Sequence, residues 1–268
     1  MNKQKLPPFY IVTVNYYLAD YFAKFVSSLS SLNFVTKLII INHSPEENLE
    51  IFSAPFPVQI INQKNGGYAY GLNRGLQEVD REDAIVLLCN PDIVLLSHEE
   101  VEKALIYMNV QNNIGLLIPQ LAREDLTSYN PCRKFYSIKT LLVSRIGIFR
   151  KWFPQAYREH CYMDYEGLEP IEVDWGFGAA MFYRFSANGR CSVFDERFFI
   201  YFEDVDLCAQ LWSKGFSVVC YPKLLFFHSW QRQSHKRLSF FYHHIASLIK
   251  FISKYRMLPR RKDLIKGK

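Results

Sequence analysis

The chain has 268 residues, 49% apolar and 16% aromatic, enough for one large domain or a domain with an appendage around a sizeable core, which excludes an intrinsically disordered chain. The formal net charge of +6 is unevenly placed: residues 230–268 hold 11 Lys and Arg against one acid, Asp263, for +10, and the rest holds 21 against 25, for −4. Basic charge confined to a tail, without a recognition module, excludes a dedicated nucleic-acid binder and directs the tail at an anionic surface.

The six cysteines, Cys89, Cys132, Cys161, Cys191, Cys208 and Cys220, show no C-x-x-C spacing. That pattern suits a reduced, cytoplasmic protein rather than a disulfide framework or zinc site. Residues 1–8 lack the apolar stretch of a signal peptide, and no uncharged apolar run has the length of a membrane span.

In chain order, the β-branched and aromatic run 9–14 predicts a buried first strand, ended by Asn15-Tyr16 where open α/β sheets bind ligands. Helical spacing follows over 21–32. Residues 37–41 and 57–61 predict two more strands, the first closed by the turn Asn42-His43-Ser44-Pro45. Helical patterns at 68–79 and 98–111 flank a strand at 84–89, which Asn90-Pro91-Asp92 stops, and another strand is expected at 114–118. Strands alternating with helices predict an α/β fold: a mostly parallel central sheet with helices on both faces.

Beyond Pro119 the pattern loosens. Residues 122–136 read as loop, 137–153 as helix and 154–170 as irregular. Within 172–183, Trp175-Gly-Phe-Gly-Ala-Ala180 reads as a turn entering a strand, and 216–221 and 224–227 as late strands. In the tail, Leu238, Phe241, Ile245, Leu248, Ile249 and Ile252 share one helical face, with Lys236, His243, Lys250 and Lys254 roughly opposite. A helix docked on the body by its apolar face and a helix lying on an anionic membrane both satisfy this pattern. The organisation expected is a body over 1–230 and a basic amphipathic C-terminal helix and tail over 231–268.

Chemistry concentrates in residues 194–208, where Asp195, Glu196, Glu203, Asp204 and Asp206 surround the run Phe198-Phe199-Ile200-Tyr201-Phe202. Burial and like-charge neighbours tune a carboxylate in such a wall toward a general base, although helix capping with a solvated acidic face produces the same composition. Gly67, Gly71 and Gly75 are spaced four apart, which suits either tight helix–sheet packing or close approach to a ligand. Asp92 in Asn90-Pro91-Asp92 is placed to hold a divalent metal, or to end a strand in a turn. His228, at the end of an apolar run, reads as a metal ligand or as a structural histidine.

In this order, Val14-Asn15-Tyr16, Asn65-x-Gly-x-x-x-Gly-x-Asn73-x-Gly75, Asn90-Pro91-Asp92, Gly178-Ala179-Ala180-Met181, the acidic motif 194–206, Gly215-Phe216 and His228 resemble the family 2 glycosyltransferases with the GT-A fold. Within that family they look most like the rhamnosyltransferase branch, over roughly residues 9–230. The resemblance implies transfer of a sugar from a nucleotide diphosphate donor, with inversion, to a saccharide or lipid-linked acceptor hydroxyl during surface polysaccharide (O-antigen or capsule) synthesis. L-rhamnose from dTDP-rhamnose is the expected donor; galactofuranose and common hexoses are the alternatives. Asp204 would be the general base, with Glu203 in reserve. Asp92 and His228 would hold Mg²⁺ or Mn²⁺. Thr13, Asn15, Asn42, Ser44, Gly67, Asn73, Asn90 and Asp92 would serve the donor, and Trp175, Gly178, Ala179 and Asp206 the acceptor or sugar. The enzyme would be cytoplasmic, peripheral on the inner face of the cell membrane through its basic tail.

Three positions depart from the family pattern. Asn42-His43-Ser44 replaces the usual Asp-Asn-x-Ser, Asn90 replaces the first acid of the D-x-D metal motif, and Gln210 stands where Arg is frequent. These departures support an alternative, a non-catalytic sugar-nucleotide-binding subunit of a synthase complex, against which the intact Glu203-Asp204-x-Asp206 stands. A nucleotidyltransferase would need a Gly- and Lys/Arg-rich loop near the N-terminus, and residues 9–20 contain no Gly, Lys or Arg.

Overall fold

Uninterrupted apolar runs become the sheet, and amphipathic segments its cover. The structure, a computed structural model, describes residues 5–49, 54–125, 127–188, 193–229 and 238–266, without the side chains of 238–241. Cys191, Trp230, Lys236, the side chains of Leu238 and Phe241, and the boundary expected at 230–231 therefore lie outside the described residues. The first half runs β1 (Phe9–Asn15), α1 (Ala19–Leu29), β2 (Val35–Asn42), β3 (Val58–Asn62), α2 (Tyr68–Gln77), β4 (Ile85–Cys89), β5 (Ile93–Leu95), α3 (His98–Val110) and β6 (Ile114–Ala122). The second half runs β7 (Ser128–Tyr129), β8 (Cys132–Arg133), α4 (Ile138–Arg145), α5 (Gly147–Trp152), α6 (Pro154–His160), β9 (Ile171–Glu172), β10 (Trp175–Gly176), β11 (Ala180–Arg184), α7 (Glu203–Lys214), β12 (Ser217–His228), α8 (Leu238–Tyr255) and α9 (Arg261–Lys266).

The sheet order is β3-β2-β1-β4-β11-β6-β12-β5, with β7 beside β6 and β9 beside β12, while β8 and β10 pair separately. It is parallel across β3, β2, β1 and β4 and again between β6 and β12. β11 is wedged antiparallel between β4 and β6, and β5 lies antiparallel on the end of β12. All seven β1 side chains are buried, as a strand covered on both faces requires. Tyr10, Val12 and Val14 face the core shared with α2 and α7, and Phe9 and Ile11 the core shared with α1 and α3.

The α2 glycines serve packing. A Cβ on Gly71 would lie 2.8 Å from Val14 Cγ2, and one on Gly75 would collide with Val12. Gly67 starts the helix at φ +102° against the Phe199 backbone, a conformation that favours glycine.

The looser middle of the chain holds more structure than its composition suggests. Residues 122–136 contribute β7 and β8, the expected helix over 137–153 is two helices, and α6 occupies part of the stretch expected to be irregular. Ser137 caps α4, and Ile146, with extended backbone, divides it from α5. The two late strands are one, β12, with a register shift between Tyr221 and Leu225 around Pro222, which has no N–H for a ladder.

The tail helix corrects one expectation. α8 docks on the body, but of the expected apolar stripe Leu248 alone, among the side chains described, packs against the core. Ile245, Ile249 and Ile252 are exposed, as is Tyr242. The docked face carries Ser247, Phe251, Lys254 and Tyr255: Ser247 Oγ donates to Ile200 O, and the Phe251 ring packs tilted against Phe202 with centroids 5.4 Å apart. Lys254, expected opposite the apolar face in solvent, bridges Asp195 at 2.9 Å and fully buried Asp206 at 2.8 Å. Phe251 and Lys254 fall on one face with Ser247 at helical spacing, and a buried carboxylate outweighs apolar area because it must be paired.

Removing Lys254 leaves Asp206 buried without its countercharge. Lys254→Ala is expected to lower unfolding free energy by about 3 kcal/mol, because a broken buried pair costs several kcal/mol and Lys254 is partly solvated. The double substitution Lys254→Met/Asp206→Asn should recover most of it in chemical denaturation; equal losses in both variants would show that packing, not charge, is what Lys254 supplies.

Candidate active site

The sheet order gathers residues far apart in sequence. β11 runs beside β4, pairing Ala180 with Cys89, so the Asn90 N–H donates to Ala179 O at 3.0 Å. β5 pairs with the end of β12, His228 opposite Ile93, which brings His228 Nε2 to 3.4 Å from Asp92 Oδ1. Ser229 N–H donates to Asp92 O, and His228 Nδ1 lies 3.3 Å from the Tyr129 hydroxyl. Asp92 is 8% exposed and its Oδ1 makes no hydrogen bond. A buried, unpartnered carboxylate oxygen facing an imidazole is the donor set a divalent cation takes. These are two ligands; among the described residues no group of three or more His, Cys, Asp or Glu is arranged to hold a metal.

Across the site, Glu203 and Asp204 open helix α7. Tyr201 and Phe202, just before them, both have φ of 68°, left-handed values that cost of order 1–3 kcal/mol each for residues with side chains. This turn aims Asp204 at the Trp175–Ala179 segment, where Asp204 Oδ2 accepts from Gly178 N–H at 3.1 Å and Oδ1 from Val205 N–H at 2.8 Å. Burial pushes the Asp204 carboxyl up to about 6, tempered by those two N–H groups. Glu203 is raised well above the usual carboxylate range, first by burial and then by the neighbouring Asp204 charge, and its Oε2 has no partner. The two carboxyls thus diverge: Glu203 holds its proton while Asp204 ionises near neutrality. The Tyr68 hydroxyl donates to Gly178 O and feels the charges of Glu203, Asp92 and Asp204, which places it between the two halves of the site.

Most of these groups border a cavity of about 1180 Å³, larger than one drug-sized ligand fills, while Asp92 sits behind His228 and is not among the lining residues. Asn90, His228, Gly178 and Ala179 line it together with Glu203 and Asp204. Trp175 forms part of its wall, fixed by a hydrogen bond from its Nε1 to Lys134 O and by the Tyr136 ring at 5.5 Å. Sequence reading missed the opposite charge in the lining: Arg123, Arg133, Arg145 and Arg150, from the region read as loop and unassigned helix. Their lack of local spacing hides them; the excess of Arg without nearby acids over 133–150 was the available signal. Gln120 Oε1, Asn130 Nδ2 and His160 Nδ1, also in cavity-lining residues, are buried without partners.

Other expected site residues lie elsewhere. Thr13, Asn15, Asn42 and Ser44 are at most 3% exposed and do not line the cavity. Asn15 Nδ2 donates to Asn42 Oδ1 and Ser44 Oγ, and Ser44 Oγ to Glu47 Oε2 at 2.6 Å, so Asn15, Asn42 and Ser44 satisfy one another at the ends of β1 and β2, whereas the buried Thr13 Oγ1 has no hydrogen-bond partner. Glu47, unremarked in the sequence, is the network's charge. Asn73 is a clamp: its amide donates to Phe194 O and Glu196 and accepts from Phe194 N–H. Gly67 is the start of α2, against Phe199. Asp206, expected at the acceptor, is fully buried and bound by Lys254, Tyr255 and Gln210. Gln210 therefore supports α7 where the family pattern carries Arg.

Comparison with known proteins agrees with this geometry. No protein-family model matches the chain. It is 27% identical over 267 residues to the rhamnosyltransferase WbbL of Escherichia coli (strain K12), covering 94% of this chain and 95% of that protein. It is 29% identical over 230 residues to the N-acetylglucosaminyl-diphospho-decaprenol L-rhamnosyltransferase of Mycobacterium tuberculosis, covering 79% and 73%. Among solved structures it resembles GalNAc-T7 crystallised with UDP, GalNAc and Mn²⁺, with a TM-score of 0.59 at 12% identity; the match covers 85% of this chain and 45% of that one. Fold and relatives define the class: the chain has the GT-A fold and is a glycosyltransferase. Within that class, its curated relatives are rhamnosyltransferases.

Proposed function

We propose that the protein transfers L-rhamnose, from dTDP-rhamnose and with inversion, to a hydroxyl of a lipid-linked saccharide in surface polysaccharide synthesis. The observation that supports this most directly is the half-buried Asp204 carboxylate at the cavity wall, raised to about 6 and oriented by two backbone N–H groups. Asp204 accepts the acceptor hydroxyl proton as that oxygen attacks the anomeric carbon. Glu203, protonated beside it, keeps a second negative charge out of the site. Asp92 and His228 would hold Mg²⁺ or Mn²⁺, which neutralises charge developing on the departing diphosphate. Trp175 and the Gly178–Ala179 backbone shape the sugar side, and Tyr68 holds Gly178 in place.

Residues 1–230 are the catalytic body in this reading, and 231–268 close it and meet the membrane. Among the described residues no helix is long and apolar enough to cross a bilayer. The exposed stripe of α8, Tyr242, Ile245, Ile249 and Ile252, instead suits a helix lying on a membrane surface, with the basic tail drawn to anionic headgroups.

Asp204→Asn should reduce turnover roughly 10²–10⁴-fold, the range for a positioned base, with nucleotide binding intact. Because the base must be ionised, wild-type kcat/KM should fall as pH drops through about 6, where Asp204 takes up its proton. Undiminished turnover in the variant would remove Asp204 from the mechanism.

In thermal-shift titrations against dTDP, UDP and GDP, one nucleotide should raise the midpoint, and more so with Mn²⁺. Asp92→Ala should abolish the metal increment while leaving the metal-free shift; an increment of the same size would exclude Asp92 as a ligand.

Flotation with vesicles containing anionic lipid should carry the full-length protein upward. Ile245→Ser/Ile249→Ser should leave it in the soluble fraction, and equal flotation would dissociate the stripe from membrane binding.

A further inference from the structure

Arg133 at the end of β8, Arg145 at the end of α4 and Arg150 in α5 converge on one wall of the cavity. No described carboxylate lies within ion-pairing distance of any of the three, whereas Arg81, Arg158, Arg197, Arg260 and Arg261 each pair with an acid. Their contacts are neutral. Arg133 Nη1 donates to Asn130 O at 2.7 Å and Cys132 O at 2.6 Å, Arg150 donates to Val143 O and Ser144 O, and Arg145 meets the His244 ring. Two guanidiniums also stack on rings, Arg133 on Phe177 at 4.7 Å and Arg150 on Tyr157 at 4.3 Å. Stacking and carbonyl contacts fix the planes of these groups and leave N–H edges unused, the arrangement that recognises phosphate oxygens.

The positive charge is felt locally. His160, 2% exposed and with an unpartnered Nδ1, is held down to about 4 by burial and by Arg133, Lys134 and Arg145, and His244 likewise by burial and Arg145. Both imidazoles are therefore neutral at physiological pH, and the wall lacks an anion rather than a proton. The helices that supply Arg145 and Arg150 expose apolar surface around them: Ile138, Ile148 and Trp152 are 74%, 52% and 64% exposed. A cationic wall rimmed by exposed apolar side chains matches an amphiphile with an anionic head.

We propose that Arg133, Arg145 and Arg150 seat the diphosphate of a lipid-linked acceptor, separately from the Asp92–His228 pair that would serve the donor's diphosphate. This rests on the transferase reading and adds to it how the acceptor is recognised: charge at the wall, isoprenoid chain along the α4–α5 rim, sugar hydroxyl delivered to Asp204.

The test is calorimetry on the full-length protein in EDTA, saturated with the nucleotide diphosphate that the thermal screen selects, so that donor-side phosphate sites are filled. The probes are farnesyl diphosphate, farnesol and inorganic pyrophosphate. Farnesyl diphosphate should bind at least tenfold more tightly than either of the others. Arg145→Gln and Arg150→Gln should each weaken it at least tenfold, and Arg150→Lys less, with nucleotide thermal shifts unchanged as the check that the variants fold. Equal affinity in wild type and both Gln variants would overturn the site. Pyrophosphate binding as tightly as farnesyl diphosphate would overturn the lipid and leave a site for free diphosphate. Failure of the transferase reading would appear separately, as absence of sugar transfer by the wild type, while the calorimetry still reports on the arginines.

Discussion

A single buried carboxylate ties this structure together. Asp206 is fully enclosed in the first turns of α7, and three side chains answer it: Lys254 and Tyr255 from α8, and Gln210 one turn further along its own helix. A carboxylate so enclosed is costly unless paired and hydrogen-bonded, so the C-terminal helix is obliged to sit where it does. Its docking then fixes much else. Lys250 holds Arg197 O, Ser247 holds Ile200 O, and Phe251 packs on Phe202. The consecutive left-handed residues Tyr201 and Phe202 are maintained by those contacts, and they set the direction in which Glu203 and Asp204 face the cavity. Charge pairing at Asp206, two residues along α7 from Asp204, thus helps set the direction of the Asp204 carboxylate.

The acidic motif divides its labour accordingly. Of its five carboxylates, only Glu203 and Asp204 reach the cavity. Asp195 is depressed below the usual carboxylate range by Arg197 and then by Lys254, an ion-paired anchor. Glu196 receives the Asn73 amide, and Asp206 receives the tail. In the same cavity lining as Glu203 and Asp204, the arginines supply positive charge with no carboxylate partner among the described residues, so one cavity carries both cationic and acidic groups. This combination of charges suits a reaction that brings two anionic substrates together while removing a proton from one of them.

Much of the fold was legible from local pattern. Buried strands in this sheet are continuous apolar runs and its helices have a single apolar stripe, so β1 to β4, α1 to α3 and the start of β6 follow from periodicity alone. Within 122–170 only the helical stretch 137–153 was legible, because β7, β8 and α6 are short and take their stability from neighbours rather than from propensity. Periodicity left the orientation of α8 open for a related reason. Periodicity counts apolar area, whereas the docking was decided by Asp206, which a sequence presents as one acid among five.

The sequence by itself determined the α/β class and the acidic motif, since these depend on residue type and near-neighbour spacing, and it was the resemblance to a family pattern that singled out Asp204 as the candidate base. Tertiary structure decided which polar residues reach the cavity and which are enclosed beside it. Asn15, Asn42 and Ser44 lie at strand ends where ligands are expected, yet hydrogen-bond one another, while the buried Thr13 hydroxyl beside them has no hydrogen-bond partner. Asp92 and His228, 136 positions apart in sequence, meet only because β5 folds back on β12. The arginine wall arises from a strand end and two helices with no shared spacing. Pairing across a sheet and convergence on a cavity are long-range facts, set by topology and by the cost of burying unpaired charge, and no local window of residues encodes them.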